Sequence, residues 1–119
     1  MKLSCIIVNY HNSLPLKNCL ESVYRTLQKI SFEVILVDNS QNDPGMEDIK
    51  ASYPRVQHIQ NNTNTGFSKA NNLATQSAQG EILLFLNPDT VLSDQSIERM
   101  VAHLEANPDI GALGPKVMN

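Results

Sequence analysis

Short apolar runs alternate with helical stripes along the whole chain, and that alternation predicts its architecture. Leu3-Ser4-Cys5-Ile6-Ile7-Val8, Phe32-Glu33-Val34-Ile35-Leu36-Val37 and Ile82-Leu83-Leu84-Phe85-Leu86 have the length and aliphatic character of strands. The last is apolar throughout and bounded by Gly80 and Pro88, which predicts a strand buried on both faces. Val56-Gln57-His58-Ile59-Gln60 is more polar and predicts a half-exposed strand near the sheet's edge, with His58 facing solvent. Leu16, Cys19, Leu20, Val23, Tyr24 and Leu27 recur at helical spacing, with Lys17, Asn18, Glu21, Ser22 and Arg25 between them. Ser13 is placed to cap this helix and Pro15 fits its first turn. A short helix over residues 46–52 follows, with Asp43 as its cap. Another begins at Phe67 with Ala70, Leu73, Ala74 and Ala78 on one face, and a fourth turns Ile97, Met100, Val101 and Leu104 inward. Residues 110–117 predict the start of a further strand. Strand and helix in alternation imply an α/β fold: a three-layer, doubly wound, mainly parallel Rossmann-like sheet with right-handed crossovers.

Three of these strands end in polar clusters. The first runs into Asn9-Tyr10-His11-Asn12, the second into Asp38-Asn39-Ser40, and the fourth into Asn87-Pro88-Asp89. In open α/β sheets ligands bind outside the carboxyl ends of the strands, so parallel strands would bring these clusters to one edge. A fourth polar stretch, Asn61-Asn62-Thr63-Asn64-Thr65-Gly66, leads into the helix that begins at Phe67, with Lys69 in its first turn. Free N–H groups and the dipole at a helix start favour a phosphate. His11 reads as a loop-surface residue with no identifiable partner.

Composition narrows the chemistry. At 119 residues, 41% apolar and 18% charged, the chain is one ordinary globular domain. A formal charge of −3 with no run of Lys or Arg argues against a nucleic-acid surface. Cys5 and Cys19 read as buried core thiols of a reducing compartment. Only six residues separate Lys2 from Asn9, too few for a signal sequence's apolar segment, and no run is long enough to span a membrane. The expected location is cytoplasmic. The dinucleotide G-x-G-x-x-G, the Walker loop, zinc-type Cys/His spacing and the G-x-S-x-G elbow are all absent. What remains is Asp38, Asp89 and many amides, oxygen donors that suit a hard cation such as Mg²⁺ or Mn²⁺, completed by a substrate's phosphates.

Val8-Asn9-Tyr10, Val37-Asp38-Asn39-Ser40, Asn64-Thr65-Gly66-Phe67-Ser68-Lys69-Ala70-Asn71-Asn72 and Leu86-Asn87-Pro88-Asp89, in this order, resemble the nucleotide-sugar half of family-two glycosyltransferases, particularly rhamnosyltransferase-like members. The resemblance implies a glycosyltransferase A-type fold that binds a nucleoside-diphosphate-sugar and passes the sugar, with inversion, to a carbohydrate or lipid-linked acceptor. Residues 1–119 would be an incomplete donor-binding domain, with the general base beyond Asn119. By the same carry-over Val8, Asn9 and Tyr10 lie along the nucleoside, Asp38 and Asn39 bind base or ribose, and Asn64, Gly66, Phe67, Lys69 and Asn72 close over the nucleotide. Asp89 matches the last carboxylate of the family's Asp-x-Asp metal motif, and Asn87 replaces the first. The carrier is uridine or thymidine. Polysaccharide assembly would bring such a protein to the inner face of the membrane, and an incomplete fold would dimerise through its open apolar face. The alternative from another class is a receiver-type binding or signalling domain, which would carry paired acids after the first strand where Asn9-Tyr10-His11-Asn12 stands.

Overall fold

The computed structural model describes residues 2–40, 42–61 and 67–107, with the side chains of residues 67 and 68 left aside. Strand β1 (Leu3–Asn9), helix α1 (Ser13–Thr26), β2 (Phe32–Asp38), α2 (Gly45–Ser52), β3 (Gln57–Gln60), α3 (Phe67–Ser77), β4 (Ile82–Leu86) and α4 (Ser96–Ala106) follow in order. The four strands form one sheet in the order β3-β2-β1-β4, and every pairing is parallel. Strand, helix and sheet order agree with the doubly wound reading. The further strand expected at 110–117 lies outside the described residues.

Side chains alternate across the sheet, so β1 and β2 feed two cores. On one face Leu3, Cys5 and Ile7 of β1 pack with Leu36 of β2 and Leu84 and Leu86 of β4. That face is covered by Leu16, Cys19, Leu20 and Val23 of α1, by Met46 and Ile49 of α2, and by Ile97 and Val101 of α4. On the other, Ile6, Val8, Ile35 and Val37 meet Ala70 and Ala74 of α3, with Ile59 and Ala78 at the margin, and the small side chains let the helix sit close over β1 and β2.

Several local expectations change in the folded chain. Among the described residues strand β4 is at the edge, and Leu83 and Phe85 are 38% and 47% exposed on the face that α3 covers elsewhere. The strand buried along its full length is β1. Leu73 of α3 is exposed. Ser13 does not cap α1; its hydroxyl donates instead to Asp43 Oδ1 at 2.9 Å. Nor is Asp43 the cap of α2, whose N-cap is Pro44; the Asp43 carboxylate accepts the Gly45 N–H at 3.2 Å from one position earlier. His58 is half-buried, and neither ring nitrogen reaches solvent or a partner among the described residues. Ser22, expected on α1's polar side, is fully buried. Cys5 and Cys19 are free and buried as expected. Among the described residues no helix is long and apolar enough to cross a membrane.

Candidate functional site

The register brings the polar strand ends together. Asn9 lies level with Asp38 across β1–β2, and Ile7 with Leu86 across β1–β4, so residues 87–89 leave the sheet beside the end of β1. With strands about 4.8 Å apart, Asp38 and the 87–89 corner are separated by roughly 10 Å, two strand spacings. Positions 9, 38 and 89 therefore share the carboxyl edge.

The β1–β2 end is a buried polar knot. Asn9 is fully buried, Asp38 5% exposed and Ser40 1% exposed. Asn9 Nδ2 donates toward Asp38 Oδ1 at 3.2 Å, with Ser40 Oγ and Asp43 Oδ2 each at 3.4 Å. Its Oδ1 accepts the Asn12 N–H at 3.0 Å. Asp38 Oδ1 also takes the Ser40 N–H at 3.0 Å, and Asn9's own carbonyl takes the Asn39 N–H at 2.8 Å. Gln60 Nε2 donates to the carbonyls of Asp38 at 3.2 Å and Ser40 at 2.9 Å, tying β3 to the same end. A buried polar group left unpaired is costly, so a knot satisfied in this way holds Asp38 in one orientation. Asn9 orients its neighbours and turns away from solvent.

The turn from β1 into α1 is set by this knot. The His11 N–H donates to Ser40 Oγ at 2.7 Å, and His11 adopts φ 54°, a left-handed conformation that non-glycine residues take only when held. Tyr10 is pushed outward, 52% exposed, with its ring edge-on to His11 at 4.7 Å between centroids. An exposed aromatic beside a buried acid is a surface on which a base or ribose can lie. A cleft of about 350 Å³ opens between α2 and the ends of β2 and β3, lined by Asp38, Ser40, Asp43, Met46, Lys50 and Gln60.

At the other end, Asn87 and Asp89 are exposed on a turn closed by the Thr90 N–H donating to the Asn87 carbonyl at 3.0 Å. Cys19 lies beneath them, and burial first, then the Asp89 charge, pushes its thiol up to about 12. That thiol is a packing group, not a nucleophile. The donor set of one carboxylate and one amide oxygen suits Mg²⁺ or Mn²⁺, and among the described residues no group of three His, Cys, Asp or Glu forms a full cage. Such a site fits a cation whose shell is completed by a ligand's phosphates and water.

The remaining residues assigned from sequence divide simply. Val8 is buried against α3, Asn39 is buried and accepts from Asn61 Nδ2 at 2.6 Å, and Lys69 and Asn72 are exposed on α3. Asn64 and Gly66 lie outside the described residues, as does the side chain of Phe67. Gln60 and Ser22 were not singled out: a glutamine on a polar strand and a serine in a helix give no signal of partners 20 and 70 residues away.

Comparison with known proteins adds an independent line. A family model described as Glycosyl transferase family 2 matches residues 4–118. An uncharacterized glycosyltransferase of Haemophilus influenzae is 31% identical over 108 residues, which is 91% of this chain and 36% of that protein. The crystal structure of S. aureus TarS 1-349 in complex with UDP-GlcNAc superposes with a TM-score of 0.78 at 25% identity, over 91% of this chain and 32% of that one. The mannosyltransferase PcManGT from Pyrobaculum calidifontis, in complex with GDP-Man and Mn²⁺, superposes at 0.81 with 21% identity, over 92% of this chain and 34% of that one. The chain spans about a third of the length of these relatives.

Proposed function

From the premise that this chain belongs to glycosyl transferase family 2, we propose that it is the donor-binding portion of an inverting sugar transferase, residues 1–119 forming the nucleoside-diphosphate-sugar domain. The observation that carries this reading is the shared carboxyl edge, with Tyr10 and Asp38 at one end and Asn87 and Asp89 at the other. The nucleoside lies against Tyr10 and is read by Asp38, while Asn9 and Ser40 hold that carboxylate in place. Lys69 and Asn72, exposed on α3, bind the nucleotide. Asp89, helped by Asn87, would hold a Mg²⁺ or Mn²⁺. That cation would neutralise the diphosphate as its bond to the sugar breaks. The acceptor, a carbohydrate or lipid-linked hydroxyl, and the base that deprotonates it belong to the part of the enzyme that two-thirds of each relative's length represents.

Calorimetric titration with UDP, dTDP and GDP, each with Mn²⁺ and with EDTA, tests this. One nucleotide is expected to bind, more tightly with Mn²⁺. Asp38→Ala is expected to abolish binding, and Asp89→Ala to remove only the Mn²⁺-dependent part. Absence of binding by all three nucleotides would sink the proposal.

A further inference from the structure

The corner that carries Asp89 is strapped along one side of α1. The Cys19 thiol faces the Asn87 carbonyl at 3.8 Å, Ser22 Oγ accepts the Leu92 N–H at 3.0 Å, and Arg25 Nη1 meets Asp94 Oδ1 at 2.8 Å. Steps of three residues on a helix stay on one face, so positions 19, 22 and 25 form a ladder against segment 87–94. The rungs are unequal. Arg25 and Asp94 are exposed, and such pairs contribute little. The thiol contact is long and weak. Ser22 is fully buried, donates its hydroxyl hydrogen to the Cys19 carbonyl at 2.7 Å and receives Leu92, itself 3% exposed.

We propose that Ser22 is a positioning residue for Asp89: its buried hydroxyl fixes segment 87–92 on α1 so that the carboxylate is already in place when cation and diphosphate arrive. The proposal rests on the reading of Asp89 as the cation's ligand. Asp89 stands between two buried residues, Leu86 of β4 and Leu92, and is itself exposed. Without the Ser22 oxygen the buried Leu92 N–H loses its acceptor, and the segment regains one by lifting from α1. Asp89 then has more freedom to lose when it binds.

Three variants of the full chain separate this from a general loss of packing. Ser22→Ala removes the strap. Thr26→Ala removes a hydroxyl from the next turn, which donates to the Ser22 carbonyl at 2.7 Å and makes no bond to segment 87–94 among the described residues. Asp89→Ala removes the proposed ligand. UDP, dTDP and GDP are titrated into each, with Mn²⁺ and with EDTA, and thermal midpoints are recorded. Ser22→Ala is expected to weaken the Mn²⁺-dependent binding by about 5- to 10-fold, the worth of one buried hydrogen bond, and to leave binding in EDTA within about twofold. Thr26→Ala is expected to lower the midpoint while leaving the Mn²⁺ effect unchanged. Equal losses in Ser22→Ala and Thr26→Ala overturn the proposal, as does an unchanged Mn²⁺ effect in Ser22→Ala beside a lost one in Asp89→Ala. A Mn²⁺ effect that survives Asp89→Ala removes the underlying reading and the proposal together. Hydrogen exchange on the parent chain gives a check that does not depend on variants folding: the Leu92 amide is expected to be protected and further slowed by nucleotide with Mn²⁺, and exchange as fast as an exposed amide overturns the assignment.

Discussion

Single side chains carry two of the sharpest tests of this structure. His58 holds both ring nitrogens away from solvent with no partner among the described residues. Burial, and then the charge of Lys50, lower its pKa from 6.5, against a smaller opposing pull from Asp38. The fold therefore disfavours the protonated ring, so the stabilisation is present above pH 6.5 and is lost as pH falls, because the unfolded chain binds the proton more readily. The urea midpoint should drop between about pH 7 and about pH 5.5, and His58→Gln should remove most of that drop. Gly45 is the second case. A Cβ there would stand 2.2 Å from Ser13 Oγ and 2.7 Å from Ser13 Cβ, where α2 docks on α1. Gly45→Ala should cost about 1–3 kcal/mol in urea unfolding. Adding Ser13→Gly to that variant should recover part of the loss; a variant as stable as the parent would show that this contact has slack. Neither residue was legible beforehand, since the close approach of Ser13 and the surroundings of His58 arise from elements distant in the chain.

At the level of elements, periodicity named the strands and helices because parallel strands and amphipathic helices write their burial directly into residue order. Strand β4 shows where that writing is ambiguous. Five successive apolar residues fit a strand covered on both faces, yet Leu84 and Leu86 are buried while Leu83 and Phe85 are exposed, because α3 lies over β1 and β2. The two faces should respond differently to substitution. Leu84→Ala should lose about 2–5 kcal/mol, and Phe85→Ser less than about 1 kcal/mol, in chemical denaturation of the chain. Comparable losses would mean that Phe85 is covered in solution. Helix α1 shows the reverse ambiguity. Its apolar stripe was plain, but Ser22 and Thr26 are buried as well, 0% and 7% exposed, satisfied by carbonyls within the helix. A polar residue that is satisfied locally can sit inside a core with no trace in the apolar pattern.

Across the whole molecule, the meeting of strand ends at one edge was legible because parallel pairing leaves those ends nowhere else to go. Which of their side chains face the crevice was not. Asn9 and Asp38 are both polar strand ends in the sequence, yet Asn9 is fully buried while Asp38, 5% exposed, lines a cleft. Helix α1 touches both ends of this edge. Its start meets the Asp38 end, through Ser13 on Asp43 and through the Asn12 N–H on Asn9. Its middle meets segment 87–94. One rod thus serves both ends: the sheet sets their separation, and the winding of the helix sets the phase of the Ser13 contact against those of Cys19 and Ser22. Lengthening the rod by a single residue would swing the two ends apart by about 100°.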